Sequence, residues 1–387
     1  MTTNKVPQIR FKGFSGEWEE KVLIDIANFI NEKILLNELT LSNYISTENL
    51  LQNFRGVLIS SKLPNSKTVT QFKINDILIS NIRPYLKKVW SATFNGGASN
   101  DVLVVRAKGD IKNHFLTYFL KNEKFINYIM EGTKGVKMPR GDISLIKKYS
   151  LFISLDSNEQ TKIGNYFQNL DKLIEQKEKK HKKLEQLKKA MLEKMFPKDG
   201  EDTPEIRFKG FSGEWEETEI DKLFTVTRGN VLSATETRSK QSEYMPYPVY
   251  SSQTKNNGLL GYYNTYLFEN AITWTTDGAN AGTVKYRDGK FYSTNVNGVL
   301  LSEEGYANQA IAEILNLIAW KHVSYVGNPK LMNNVMSKIK IYIPNSIKEQ
   351  NNISNLLIKL DKLIDLQLQE LEKLKNIKKA SLDKMFV

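Results

Sequence analysis

Hydrophobic positions follow two different periods along the chain, and the switches between them mark its parts. Short β-branched and aromatic runs bounded by Asn, Gly, Pro and Asp predict strands at RGVLIS (55–60), NDILISNIRP (75–84), KVWSATF (88–94) and DVLVVRA (101–107). HFLTYFLKNEKFINYIM (114–130) then places Phe115, Phe119, Phe125 and Ile129 at helical spacing and predicts one helix. A Gly-rich basic loop, a short segment and a strand follow within 132–154. The same plan returns later with different residues. Strands are expected at YPVYSS, LLGYYN, NAITWTT, TVKYRDGKFYST and GVLLS, with RDG as a hairpin signal. A helix is expected at QAIAEILNLIAWKHV and a closing strand in GNPKLMNNVMSKIKIYIP.

After each of these regions the period becomes seven. Ile163, Leu170, Lys177, Leu184 and Met191 are seven apart, accompanied by Phe167, Ile174, His181 and Met195. Ile353, Leu360, Gln367, Leu374 and Ser381 repeat the pattern, with Leu357, Ile364, Leu371 and Met385 beside them. Sustained heptads predict coiled-coil helices, ~60 Å long for about 40 residues. Both carry a polar residue, Lys177 or Gln367, in the middle layer, and an antiparallel pair would bring those layers together.

Two repeats run out of phase. PQIRFKGFSGEWEE (7–20) returns as PEIRFKGFSGEWEE (204–217), thirteen of fourteen residues alike, at an offset of 197. EQ, LDKLI and KKA recur in 158–196 and 348–386 at an offset of 190. Internal repetition decides the reading of a fold before anything else. The chain reads as α+β with four parts: 1–157, a helix at 158–198, 199–347, and a helix at 348–387. The second helix stops where the first meets the next lead segment, so a pseudo-two-fold, cyclic arrangement would bring the termini together. Phe14 and Trp18 of the lead segment are read as a packing clip, and the acidic residues after them as suited to a helix N-terminus.

Composition narrows the function. A chain of 387 residues exceeds one ordinary core. No leader and no long apolar run appear, so a cytoplasmic protein is expected. Cys is absent and the three His, at 114, 181 and 322, are scattered, which argues against zinc, disulfide and thiol chemistry. Phosphate-cradling and nucleotide-fold glycine motifs are missing, since GANAGTVK (278–285) has the wrong spacing. Asn328-Pro329 lacks the aromatic that an adenine methyltransferase motif needs. A recognition protein, not an enzyme, is the reading. Net charge is +12, favouring a polyanion, but it is uneven: +8 in 1–157, +5 in 158–198, −3 in 199–347 and +2 in 348–387. The second region must therefore read bases with few charges, or offer acidic surface to a protein.

The repeated GFSGEWEE, the DILISNIRP run and the paired EQ…LDKLI…KKA…MF helices together resemble the specificity subunit of type I restriction-modification systems. The resemblance implies two target recognition domains, each reading half of a split asymmetric DNA site, held apart by two antiparallel coiled-coil helices. It implies methyltransferase subunits that use S-adenosylmethionine and restriction subunits that use ATP with Mg, and no cofactor, metal or catalytic residue in this chain. Major-groove readers sit ~34 Å apart or a multiple of it, which such helices can span.

Candidate DNA contacts in the first domain are Asn81, Arg83, Lys87, Lys88, Lys134, Lys137 and Arg140. In the second they are Ser252, Thr254, Lys255, Asn256, Asn280, Lys285, Lys330 and Asn333. Arg commonly reads guanine and Asn adenine. Trp90 and Trp274 lie in strand patterns and are read as core. The 190-residue offset sets Pro139-Arg140 over Pro329-Lys330. A non-catalytic coiled-coil scaffold joining two protein-binding modules is the alternative.

Overall fold

A computed structural model of the chain describes residues 5–135, 137–198, 200–252 and 255–387. It divides into two compact units: Met1–Glu178 with Gln369–Val387, and Lys179–Leu368. Each unit therefore holds one domain, the start of the helix that follows it, and the end of the other long helix.

The first unit contains β1 (Glu19–Val22), α1 (Leu23–Ile26), β2 (Ala27–Phe29), β3 (Lys33–Leu35), β4 (Tyr44–Ile45), β5 (Thr68–Phe72), β6 (Ile77–Ser80), β7 (Val89–Ser91), β8 (Gly96–Ala98) and β9 (Val102–Ala107). After these come α2 (Asn113–Leu120), α3 (Glu123–Glu131), α4 (Ile143–Lys147), β10 (Ser150–Ile153) and the long α5 (Ser157–Lys194). Two four-stranded sheets, in the orders β2-β9-β6-β7 and β3-β5-β8-β4, stand beside a separate small β1-β10 ladder. β6 is buried on both faces, and with Leu103, Val105, Phe115 and Phe119 it feeds the core on which α5 lays Ile163, Phe167 and Leu170.

Three sequence expectations fail here for local reasons. RGVLIS is not a strand: only Val57 makes a bridge, to Leu50, while Leu58 and Ile59 are 58% and 74% exposed. Its amides go to loop carbonyls instead, Leu58 to Asn49 at 2.9 Å and Ser60 to Leu41 at 3.0 Å. The helix over 114–130 is two helices. Asn122 breaks it, accepting from the Lys124 amide at 2.9 Å as a cap and donating Nδ2 to the Leu382 carbonyl at 2.7 Å. The acidic residues Glu19 and Glu20 lie in β1, paired antiparallel with β10, and not at a helix N-terminus.

The lead segment is a clip, as expected, and more than an apolar one. Trp18 is buried against Phe115 and Phe386, while Phe14 is half-buried with Lys162 over its ring. Arg10 grips the Glu159 carboxylate at both oxygens, at 2.6 and 2.8 Å, and Trp18 Nε1 donates to the same group at 3.3 Å. Glu159 is fully buried, and its hydrogen bonds hold the Arg10 guanidinium above its ordinary pKa. Gln160 completes the clasp, accepting from the Lys112 amide and donating to the Ser154 carbonyl. The repeated Arg of the lead segment and the repeated Glu-Gln of the helix are thus one device.

The end of the chain closes on this unit. The Ile9 amide donates to the Lys384 carbonyl at 3.0 Å, and Met385 and Phe386 enter the core, which brings the two ends of the chain together as the cyclic repeat implies. The last helix runs antiparallel to α5. Tyr166 meets Ser381 at 3.1 Å, Asp171 pairs with Lys378 at 2.5 Å, and Glu178 pairs with Lys375 at 2.6 Å. Lys177 pairs with Glu370 across the seam. Lys121 is buried beside Asp171, and burial pulls its pKa down to about 8.

The second unit contains β11 (Glu216–Glu219), α6 (Ile220–Leu223), β12 (Thr225–Arg228), β13 (Tyr247–Tyr250), β14 (Leu259–Tyr263), β15 (Phe268–Thr275), β16 (Val284–Ser293) and β17 (Asn297–Leu301). Then follow α7 (Gln309–Ile318), α8 (Asn333–Met336), β18 (Lys340–Ile343) and α9 (Ile347–Lys384). Its main sheet has the order β12-β17-β15-β16-β13-β14, whose first four strands are antiparallel throughout, like β2-β9-β6-β7. β11 pairs with β18 as β1 does with β10. The clasp recurs: Arg207 meets the buried Glu349 at 2.6 and 2.8 Å, and Gln350 accepts from Asn308 at 3.1 Å. The Ile206 amide donates to the Lys194 carbonyl at 2.8 Å, and Lys188 pairs with Asp361 at 2.7 Å.

RDG is no hairpin. β16 continues through Arg287-Asp288-Gly289 with a bulge, Asp288 and Gly289 together lying opposite the single residue Asn270 of β15, whose Oδ1 accepts from the Gly289 amide at 2.8 Å. Trp90 and Trp274 are core residues, and Trp274 Nε1 donates to the Leu331 carbonyl at 3.0 Å. Its ring lies flat on Gly298, where a Cβ would stand 2.1 Å from ring carbon. Gly298→Ala is therefore expected to cost about 1–3 kcal/mol through overpacking, read by urea unfolding. Among the described residues no helix is long and apolar enough to cross a membrane.

Candidate nucleic-acid interface

In the first unit the end of β6 and the Gly-rich loop are sewn together by backbone. The Arg83 amide donates to Pro139 O at 2.8 Å, and the Gly141 amide to Asn81 O at 3.0 Å. Lys134 and Arg140 exchange both amide hydrogen bonds at 3.0 Å, which closes 134–140 into a hairpin loop. Gly141 is required: a Cβ there would meet Asn81 Oδ1 at 2.8 Å and Ile129 at 2.9 Å. So Asn81, Arg83, Lys134 and Arg140 form one patch, with Lys137 on the same loop.

Their side chains differ in freedom. Asn81 turns Oδ1 inward, where it is buried without a hydrogen-bond partner among the described residues. Arg140 pairs with Asp101 at 3.1 Å, and Lys134 with Asp142 at 3.0 Å, which holds the Asp142 carboxyl below its usual range. Lys87 pairs with Glu123, and Lys88 donates to the Thr47 carbonyl at 2.5 Å while burial lowers its pKa. Arg83 and Lys137 are exposed, and no ion pair to a described residue holds them. Arg83 has a left-handed backbone, with φ of 51°.

The second unit builds the equivalent patch from other residues. The Gly278 amide donates to Pro329 O at 2.9 Å, the Leu331 amide to Thr276 O at 2.8 Å, and Ser324 and Lys330 exchange amide bonds at 2.8 and 2.9 Å. Bond for bond this is the hairpin loop 134–140 again, at 324–330. Lys330 lies 3.7 Å from Asp277. Asn280 is exposed on the adjoining turn, and Asn333 donates to Thr227 O at 3.3 Å from the start of α8.

A second group gathers on β16. Lys285 donates to Asn257, and burial together with Arg287 depresses its pKa. Asn256 is exposed with φ of 49°, in the tight turn that Lys255 opens. Ser252 is half-buried, and Thr254 lies outside the described residues. Sequence reasoning missed Arg287, which is only 5% exposed. It stacks 3.7 Å over the Tyr250 ring, bonds Thr273 at 3.0 Å and the Asn257 carbonyl at 2.8 Å, and is pushed down to about 10 by burial. Nothing in an alternating strand distinguishes such an Arg from an exposed one.

Two domains of one plan, each offering a braced loop with a cation at its closing position and each clasped to a helix pair, define a duplicated recognition scaffold. The chain belongs to the type I restriction modification DNA specificity domain family, whose sequence model matches residues 15–186 and again 212–376. Two Mycoplasma pneumoniae chains described as type I specificity subunits are similar to it. One, an N-terminal portion, is 38% identical over 36% of this chain and 73% of its own length; the other is 40% identical over 30% and 32%. A crystal structure of a type I restriction-modification S subunit from M. genitalium shares the fold, with a TM-score of 0.74 at 17% identity over 99% of both chains.

Proposed function

We propose that the chain reads a split, asymmetric DNA sequence, domain 1–157 taking one half and domain 199–347 the other. The helical segments 158–198 and 348–387 set the gap and dock methyltransferase subunits. S-adenosylmethionine chemistry, and any ATP- and Mg-dependent cleavage by restriction subunits, belongs to those partners in the cytoplasm. The observation that carries this reading is the repeated braced loop, kept bond for bond while its side chains change. One scaffold with two chemistries is what two half-sites require.

Docking is supported by apolar residues left on the long helices. Leu173 and Leu363 are 38% and 46% exposed, and Leu187 and Ile377 are 42% and 39% exposed. Both pairs are related by the 190-residue offset, so the surface offers each copy of a partner the same footing. Co-expression with a cognate methyltransferase subunit, followed by mapping of methyladenine across a genome, tests the proposal. A single bipartite motif is the expected result; a continuous motif, or none, refutes it.

Arg140→Ala and Lys330→Ala should each act on one half-site or its flanking phosphates. A base-reading cation should cost about 1–3 kcal/mol and relax one position, whereas a phosphate contact should weaken all sequences and flatten the salt slope. Unchanged affinity and motif in both variants would remove these loops from the interface. The net acidic second domain favours the rival, a protein-binding scaffold, and affinity for DNA that is insensitive to salt would support it.

A further inference from the structure

Resting on that reading, we infer that the two domains read by different chemistry, and that Tyr325 and Val326 are an apolar probe for thymine methyl groups in the second half-site. Hairpin loops 134–140 and 324–330 share their backbone bracing. The offset of 190 sets Lys134 over Ser324, Lys137 over Gly327 and Arg140 over Lys330. Two of three cations are thus lost in the second loop, in a region whose net charge is −3. The same offset sets Gly135 over Tyr325 and Val136 over Val326, so the second loop keeps the valine, gains an aromatic beside it and sheds the charges around it.

That tip is strongly exposed for its composition. Tyr325 keeps 68% of its surface and Val326 93%, on a turn completed by Gly327 at φ of +77°. The base beneath it is tied on both sides, through Ser324–Lys330 and Gly278–Pro329. An apolar pair held out on a braced support is placed to touch something, and the adjoining positions choose the class. Lys330 sits at the loop's closing position, and the exposed amides of Asn328 and Asn280 flank it, as suits a base edge. The thymine C5 methyl is the apolar group that base edges present in the major groove, so an apolar tip there distinguishes T without charge.

The test uses the complex with its methyltransferase subunits and duplexes of the mapped motif, with each thymine replaced in turn by deoxyuridine, which lacks only that methyl. Wild type should lose about fourfold in affinity at one or two thymines of one half-site, the loss expected for one buried methyl-sized group. Val326→Ala and Tyr325→Ala should bind the thymine duplex more weakly and no longer respond to deoxyuridine. Val326→Thr, which keeps the shape, guards against a folding artefact and should respond weakly. The thymines concerned should be indifferent to Arg140→Ala. Several results overturn the inference while leaving the proposed function standing: no deoxyuridine effect at any thymine, an effect undiminished in the Val326 and Tyr325 variants, or variants that no longer co-purify with the methyltransferase, which would make the tip a protein contact. A wild-type complex that methylates no split motif overturns the proposed function itself, and this inference with it.

Discussion

Glu159→Ala is expected to destabilise the first unit by about 3–5 kcal/mol, because it strands the Arg10 guanidinium in a site built for an ion pair. The Arg10 side chain is only 13% exposed and Glu159 is not exposed at all. The cation cannot escape by losing its proton, since Arg stays charged. Trp18 Nε1 loses its acceptor in the same step. Glu349→Ala should do the same to the second unit, where Arg207 and Glu349 are 14% and 1% exposed. Melting curves should show a drop of ~10 °C for each. Glu159→Gln, which keeps the volume and one acceptor, should recover part of it. Arg10→Ala combined with Glu159→Ala should cost less than the two single losses added together. Lys375→Ala, which breaks a half-exposed pair with Glu178, should cost under ~1 kcal/mol. A Glu159→Ala protein as stable as wild type would mean that the clasp is ornamental.

Half-length chains are expected to dimerise, with opposite quality for the two halves. In residues 1–200, α5 would have to pair with a copy of itself. Shifting each partner on α9 back by 190 shows what it would meet: Lys177 faces Lys180 where Glu370 stood, and Glu178 faces Glu185 where Lys375 stood. Only Asp171 with Lys188 survives. Residues 204–387 fare better. There Asp361 meets Lys378, Glu370 meets Gln367 and Lys375 meets Leu368, so no like charges face each other. The α5 dimer should be weaker by about 2 kcal/mol, or roughly 30-fold in dissociation constant. Lys180→Glu with Glu185→Lys should restore it, and Lys177→Gln should restore less. Sedimentation reads the dimers, and methylation with the partner present should report an inverted repeat of one half-site. Equal affinity for the two halves would refute the charge code.

How far the sequence foretold this depends on the range of the interaction. The heptads, the doubled plan and the alignment of Arg140 with Lys330 were legible, since period and repetition are local or exact signals. The break at Asn122 was not, because the apolar spacing of Phe115, Phe119, Phe125 and Ile129 continues across it and the carbonyl that anchors the cap belongs to Leu382. RGVLIS has the composition of a strand, but its amides donate to the loop carbonyls of Asn49 and Leu41. RDG has the composition of a turn but forms a bulge inside a continuous strand. The Arg10–Glu159 clasp stood in plain view as two repeated motifs, yet nothing in either one says that they meet. In the candidate site the cations were legible and their freedom was not. Asp101, Glu123 and Asp142, each from another element or turn, decide which of them are held.

The doubled clasp also bears on inheritance. A crossover between the two stretches of gene that encode the lead segments would delete one period and still place an Arg ahead of a Glu, with Arg10 meeting Glu349 instead of Glu159. The shortened product keeps α9, the helix whose charges tolerate a copy of itself. Its symmetric target would arise in one recombination step, with no buried charge left orphaned.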